Sequence, residues 1–175
     1  MFAITKRLLL RPGWVEDAHA LVRAIGSEAV IRNLGRLPWP YTLEAAQRFL
    51  ARAYDPLRPT FLMTRRSDGM LVGGIGIHGD EDPELGYWIA RRHWGRGFAT
   101  EAGRAVIALA DASLRLPRLG AFHALDNPAS GRVLRKLGFR QLGGTDWAHS
   151  IVRDAEMEIR LFERDRLGAR PPLAA

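Results

Sequence analysis

The residues with the clearest chemical signature surround two glycines, at positions 95 and 97. The run Trp94-Gly95-Arg96-Gly97-Phe98-Ala99-Thr100 is typical of a turn that ends a strand and begins a helix. The first N–H groups of a helix have no partner within it and point outward with the positive end of its dipole. Because glycine has no side chain, a bulky anion can approach this backbone closely. The pattern therefore predicts a pyrophosphate site, with further contacts from the side chains of Arg96 and Thr100.

A glycine–x–glycine turn also has a second interpretation, in which glycine is needed only for the backbone conformation of the turn. Competing motifs do not match the sequence. A dinucleotide fingerprint would need glycine at position 100, where the chain has Thr100, and an initial βαβ unit. The chain lacks the GxxxxGK[ST] and HExxH patterns and contains 0 cysteines. The commonest nucleotide, zinc and cysteine chemistries are thereby excluded, and we expect no metal site.

The bulk composition favours one folded domain. With 175 residues and 47% hydrophobic content, the chain can build a substantial core. We expect a single domain over 1–175, with a core over about 6–162 and a loose tail over about 164–175. The apolar run 8–10 is too short for a signal sequence, and no run approaches the roughly 18 apolar residues of a membrane span. A cytoplasmic protein without a membrane partner is expected.

The charge of the chain is strongly basic, with a formal net charge of +7 and a pI of about 10.9. The basic residues are spread evenly, and no block of five like charges occurs. This distribution favours a generally basic solvated surface, which would also attract a ligand with several phosphates. A nucleic-acid-binding domain is the alternative that the charge allows, but we do not expect nucleic acid as the partner.

Hydrophobic periodicity predicts the element order β-α-α-β-β-β-α-β-α-β-β, a mixed sheet with helices packed on it. Apolar residues that alternate or run together predict strands at 4–11, 60–65, 70–78, 84–90, 119–125, 147–152 and 155–162. Helical spacing with capping residues predicts helices at 16–25, 42–54, 98–113 and 127–138.

These motifs together resemble the GNAT superfamily of N-acetyltransferases, and within it the RimJ/RimL-type branch. The family's phosphate motif, [Q/R]-x-x-G-x-[G/A], matches 94–99, with Trp94 in the place of Gln or Arg. The branch patterns ELGYW and WGxGxATEA match 84–88 and 94–102. A second signature, N-x-x-S followed by K-L-G-F, matches 127–130 and 136–139. The resemblance runs from about residue 6 to residue 162.

The resemblance implies a fold, a co-substrate and a binding site. The fold is α/β (α+β): a single GNAT-like domain whose mixed, mostly antiparallel sheet has six to seven strands, splayed at the cofactor site and flanked by about four helices. The co-substrate is acetyl-CoA, with its pantetheine arm along the splayed strand and its pyrophosphate on the turn. The residues implied to bind it are Trp88, Ile89, Ala90, Trp94, Gly95, Arg96, Gly97, Phe98, Ala99, Thr100 and Asn127.

The resemblance also implies catalytic roles. Glu84 lies ten residues before Trp94, where several GNAT enzymes have a general base; its alternative role is to fix a turn or pair with an arginine. Many GNAT enzymes protonate the leaving thiolate with a tyrosine at a position that is Leu134 here. Ser130 matches the serine proposed for this role in RimL-like relatives, or it bonds locally to its helix. The N–H of Ile89 or Ala90 would stabilise the oxyanion.

The function implied is an acetyl-CoA-dependent N-acetyltransferase in which a primary amine attacks the thioester directly. The acceptor is a protein N-terminus or a small-molecule amine, and the protein is a monomer or a homodimer. The alternative is a non-catalytic sensor that binds acyl-CoA without turnover. An acidic cluster at Asp80, Glu81, Asp82 and Glu84 either attracts a cationic amine or is a solvated turn.

Overall fold

The computed structural model describes residues 1–35, 37–52 and 54–166. The strands in these ranges are β1 (Ala3–Ile4), β2 (Leu8–Arg11), β3 (Thr60–Arg65), β4 (Leu71–His78), β5 (Glu84–Ile89), β6 (Arg118–Ala124), β7 (Arg140–Gln141), β8 (Asp146–Ser150) and β9 (Ala155–Asp165). The α-helices are α1 (Ala18–Ile25), α2 (Glu28–Ile31), α3 (Leu43–Leu50), α4 (Phe98–Leu109) and α5 (Pro128–Lys136).

The nine strands of the described residues form one sheet in the order β1-β2-β3-β4-β5-β6-β9-β7, with β8 also paired to β9. Neighbouring strands are antiparallel except β5 and β6, which are parallel. These two strands meet at Glu84 and Gly120, after which β5 continues beside β4 and β6 continues beside β9. The mixed, mostly antiparallel sheet that splays at this point is confirmed.

The strand count exceeds the predicted six to seven for local reasons. The segment predicted as one strand over 4–11 is a hairpin, because Thr5 turns the chain. Its N–H donates to the Leu8 carbonyl, and its hydroxyl accepts from the Leu8 N–H, both at 2.9 Å. The other additional strand, β7, has only two residues, and so short a segment carries no alternation that the sequence could reveal.

Two apolar cores lie on opposite faces of the sheet, because successive side chains of a strand point to opposite faces. In β3, Phe61 and Met63 pack with α4 and α5, whereas Leu62 packs with α1 and α3. Each face of the sheet is thus covered by a different pair of helices. The split between β5 and β6 is consequently bordered by α4 and α5 on one face of the sheet and by the α1–α3 region on the other.

One helix start follows its capping residue, and one helix end differs from its prediction. Thr42 caps α3 by accepting the Ala45 N–H at 3.2 Å, as its sequence position predicts. The predicted helix over 98–113 ends as an α-helix at Leu109 and continues as a π-helical turn, Ala110–Leu114. The last strand, β9, extends to Asp165, three residues beyond the strand end that the sequence predicts at 162. Arg164 lies in β9 and binds both carboxylate oxygens of Asp111, whereas 167–175 lie outside the described residues.

Candidate active site

Backbone groups of β5 line the split, and hydrogen bonds at its two ends identify which ones. The Pro83 carbonyl accepts from Gly120 on the β6 side at 2.8 Å, whereas the Ala90 N–H donates to the Val72 carbonyl of β4 at 2.9 Å. Because successive peptide groups of a strand point to opposite sides, odd-numbered residues of β5 face the split. The N–H and C=O groups of Tyr87 and the N–H group of Ile89 are therefore the ones available to an extended ligand.

This alternation revises the predicted contacts on β5. Of the two N–H groups expected to stabilise an oxyanion, that of Ala90 is bonded to the Val72 carbonyl, which leaves that of Ile89. Trp88 likewise turns its backbone toward β4. Ile89 faces the split, but its carbonyl accepts the indole N–H of Trp94 at 2.6 Å. The side chain of Trp94 thus links the turn after β5 to the end of that strand. Tyr87, which the sequence did not predict as a contact, also faces the split.

The turn after β5 has the conformation that the glycine pattern predicts. Gly95 and Gly97 have φ angles of +74° and +77°, and Gly97 precedes α4 directly. The helical hydrogen bonds of α4 begin where Glu101 donates to the Gly97 carbonyl at 3.0 Å, so the N–H groups of Phe98, Ala99 and Thr100 come before the first bonded one. The side chains of Phe98 and Ala99 are buried, so these residues can offer a ligand only their backbone.

The space above this turn fits a bulky anion. A Cβ atom built on Gly95 would have no atom within 4 Å, and one built on Gly97 would meet only Arg7 Nη2, at 3.6 Å. The glycines therefore leave an open cradle over the helix N-terminus, which is where a pyrophosphate would be bound.

Arg7 is a residue of this site that the sequence interpretation missed. Its guanidinium lies 4.6 Å from the centre of the Phe98 ring and donates to the Arg96 carbonyl at 2.9 Å. Glu101 holds it there through a 2.6 Å ion pair. In the sequence, 89 positions separate this arginine from Arg96, and only the fold brings the two together. A fixed positive charge therefore borders the cradle.

The first turn of α5 faces the split from the side of β6. Asn127 caps this helix by accepting the Ser130 N–H at 3.4 Å, which occupies its side-chain oxygen and leaves its NH₂ group for another partner. The Ser130 hydroxyl lies 2.7 Å from the hydroxyl of Tyr87. Burial raises the pKa of Tyr87 to about 12, and the hydrogen bond with Ser130 offsets only part of that rise. Leu134, where many GNAT enzymes have a tyrosine, is fully buried in the core.

Glu84 lies where the split begins. It pairs in register with His78 of β4 and with Gly120 of β6, and it is half-buried. Alternation along β5 places Glu84 on the same face as Trp88, the face of α1 and α3, and Tyr87 on the face of α4 and α5. A carboxylate and a phenol thus approach the split from opposite faces of the sheet.

Comparison with known proteins identifies this arrangement. The profile of the acetyltransferase (GNAT) domain family matches residues 7–140. An uncharacterised N-acetyltransferase of Bacillus subtilis, YoaA, is 35% identical over 153 residues, which cover 82% of this chain and 86% of the relative. The chain belongs to the GNAT family of acetyltransferases. Acetyl-CoA is the acetyl donor of GNAT enzymes, and this member is an acetyltransferase of that kind.

Solved GNAT structures share the fold of this chain. A GNAT acetyltransferase from Bacillus anthracis superimposes with a TM-score of 0.82 at 21% identity, covering 95% of this chain and 99% of the other. The ribosomal L7/L12 α-N-protein acetyltransferase RimL, solved in complex with coenzyme A, superimposes with a TM-score of 0.77 at 17% identity, covering 94% and 98%. At these identities the likeness establishes the fold.

In this GNAT chain, ion pairs join the loops on the face opposite α4. Asp126, just before Asn127, accepts from Arg32 after α2 at 2.9 Å and from Arg153, between β8 and β9, at 2.9 and 3.0 Å. The hydrogen bonds from Arg153 outweigh the opposing effect of burial and hold the pKa of Asp126 below its usual value. The loop that leads to the α5 cap is thereby linked to the loops on that face.

The acidic cluster of this GNAT chain is a solvated, ion-paired turn over much of its length. Asp80 pairs with Arg58 at 2.9 Å and Asp82 with Arg118 at 3.2 Å, and both carboxylates are exposed. Over the described ranges, every helix is too short or too polar to span a bilayer. The same residues contain no group of three or more His, Cys, Asp and Glu side chains that could hold a metal ion.

Glu101, next to the glycine turn, makes the free energy of unfolding depend on pH. Burial alone would raise the pKa of Glu101, but hydrogen bonds from Thr5 and from the backbone and side chain of Arg7 outweigh it and hold that pKa below its usual value. We expect Glu101→Gln to lower the free energy of unfolding at pH 7 by about 1–2 kcal/mol. The contribution of Glu101 is complete above its unfolded-state pKa of about 4.3 and is lost as the pH falls through the lower folded-state value.

Urea unfolding of the wild type and Glu101→Gln across this pH range checks that expectation. The difference in unfolding free energy should shrink toward zero on acidification. A difference that stays constant with pH would show that Glu101 contributes through packing and not through its charge.

Proposed function

We propose that this chain transfers an acetyl group from acetyl-CoA to a primary amine, and that it does so as one domain spanning 1–175 in the cytoplasm. The observation that carries the proposal is the continuity of the split with the glycine cradle. The backbone groups of Tyr87 and the N–H group of Ile89 lead to the open turn at Gly95 and Gly97, beside the positive charge of Arg7. An extended ligand with a pyrophosphate at one end could bind along β5 and place that pyrophosphate on the turn.

The donor side of the site uses mainly backbone groups. The N–H groups from Gly95 to Thr100 and the N-terminus of α4 bind the pyrophosphate, with Arg96 and Arg7 adding positive charge. Ile89 and Tyr87 hold the extended arm along the split, and the NH₂ group of Asn127 contacts it from the other side. Acetyl-CoA supplies the thioester whose acetyl group is transferred.

The acceptor side of the site must deliver an uncharged amine. An alkyl amine has a pKa of about 10.4 and an α-amine one of about 8, so both are mostly protonated at pH 7. Glu84 is the proposed general base, acting directly or through water from the α1–α3 face of the split. General-base catalysis of this kind contributes roughly 10²–10⁴ in rate. Ser130, on the other face, is the proposed hydrogen-bond donor to the departing sulfur.

The acceptor class is proposed as a protein N-terminus or a small-molecule primary amine. RimL, which shares the fold, is a protein α-N-acetyltransferase, and its activity supports the first class. The non-catalytic acyl-CoA sensor is the second candidate, favoured by one observation: a fully buried leucine, Leu134, occupies the position of the family's tyrosine acid.

Thiol release from acetyl-CoA tests the proposal, because the chain has 0 cysteines and contributes no thiol of its own. The acceptors are spermidine, a lysine-free peptide with a free α-amine, and the same peptide with an acetylated N-terminus as the control. We expect one free-amine acceptor to release CoA thiol and the blocked peptide to release none. CoA binding without release by any amine would favour the sensor, and absence of CoA binding would contradict both functions.

A further inference from the structure

A hydrogen bond between Tyr87 and Ser130 crosses the split. The two hydroxyl oxygens lie 2.7 Å apart, and the Ser130 carbonyl oxygen lies 3.1 Å from the Tyr87 oxygen as a second, more distant acceptor for the single Tyr87 proton. Tyr87 belongs to β5 on one side of the split, and Ser130 to the first turn of α5, which follows β6 on the other. The proposed chemistry gives the side chain of Tyr87 no role.

We propose that Tyr87 is a positioning residue of the donor site, whose hydroxyl donates to Ser130 Oγ and thereby directs the Ser130 proton toward the sulfur of CoA. The inference rests on the proposed function, in which Ser130 lies beside that sulfur. The proposed function gives roles to the glycine turn, to Glu84 and to Ser130, and this inference adds one for the side chain of Tyr87.

A serine in the first turn of a helix needs such a partner to keep its proton available. Serine hydroxyls in helices commonly rotate to bond with a carbonyl of their own helix, which would remove the proton from the split. Within the described part of the chain, the Ser130 hydroxyl bonds instead with Tyr87. Because each hydroxyl has a single proton, Ser130 can donate its own proton elsewhere when Oγ, the nearer of the two acceptors, takes the proton of Tyr87.

Tyr87 itself is too weak an acid to protonate the leaving thiolate. A phenol with a pKa of about 12 holds its proton roughly three orders of magnitude more tightly than a thiol with a pKa of about 8.5. The tyrosine therefore keeps its proton, and no bond is formed or broken at its oxygen. Its effect on the sulfur is conveyed by the orientation of the Ser130 hydroxyl, which stabilises the thiolate as a hydrogen-bond donor.

The pKa of the thiol of bound CoA measures this effect without any acceptor amine. Thiolate absorbance reports CoA alone, because the chain has 0 cysteines. A hydrogen bond to an ionised group should lower the thiol pKa of bound CoA by about one unit relative to free CoA, a roughly tenfold larger thiolate fraction near neutral pH. We expect Tyr87→Phe, Ser130→Ala and the double variant each to abolish this shift, and the double variant to add nothing further.

The matched control is Tyr54→Phe, which removes a hydroxyl from a ring that packs near Phe61 and should leave the thiol pKa of bound CoA unchanged. The proposal is overturned if wild-type protein binds CoA without shifting its thiol pKa, or if either Tyr87→Phe or Ser130→Ala leaves the shift intact. A purely structural anchor would lower the melting temperature and leave the thiol pKa alone. Failure of wild-type protein to bind CoA is a separate result, which contradicts the proposed function itself.

Discussion

Gly97→Val lowers the affinity for CoA by about a hundredfold or more, whereas Gly138→Val leaves it unchanged. A valine at position 97 extends into the cradle, where a built Cβ meets only Arg7, and displaces a pyrophosphate from the N–H groups of α4. Losing two hydrogen bonds to a charged group at about 1.5 kcal/mol each corresponds to roughly that factor. Titration calorimetry with CoA measures the dissociation constant of each variant.

Gly138 is the matched control because it has a positive φ angle like that of Gly97 but lies away from the cradle. Their φ angles are +84° and +77°, so valine is disfavoured at both positions by about 1–3 kcal/mol. A Cβ on Gly138 has no atom within 4 Å, and the residue lies just past the C-terminal end of α5. Equal losses of CoA affinity in the two variants would contradict a cradle at Gly97 and indicate general destabilisation.

Glu84→Gln lowers kcat about 10²–10³-fold at pH 7 with a small change in the KM for acetyl-CoA. Glutamine keeps the size of the side chain but cannot accept the proton of the amine. Because an α-amine with a pKa of about 8 loses its proton in solution as the pH rises, the defect should narrow above that value. Steady-state rates of thiol release from pH 6 to about 10 provide the comparison.

The control for this variant is Glu81→Gln, which makes the same change at an exposed position of the acidic cluster and should preserve kcat. A Glu84→Gln protein with wild-type kcat and a lowered melting temperature would show that Glu84 only fixes the strand end where β5 meets β6. A defect that stays constant from pH 6 to about 10 would likewise contradict a role in deprotonating the amine.

The parts of the site that the sequence predicted are those encoded locally. Positive φ at Gly95 and Gly97 and the start of α4 at Phe98 follow from neighbouring residues. The cap of Asn127 on Ser130 is equally local, since three positions separate them. Such features depend on turn and capping residues, which can be recognised within a few consecutive positions of the sequence.

The parts that the sequence did not predict depend on pairing between distant segments. Arg7 reaches the turn because β2 and α4 pack together, and Tyr87 reaches Ser130 because the sheet opens between β5 and β6. The revision at Ala90 has a similar origin, since only the pairing with β4 shows which way its N–H points. Hydrophobic alternation indicates the face of a side chain, but not the edge to which each peptide group is turned.

Amide hydrogen exchange of the wild-type protein, with and without CoA, locates the donor site on the backbone. We expect CoA to slow exchange at the backbone N–H groups from Gly95 to Thr100 and at Tyr87 and Ile89, while that of Ala90, already bonded to Val72, changes least. Protection confined to other regions, or none at saturating CoA, would contradict a donor site at the split between β5 and β6.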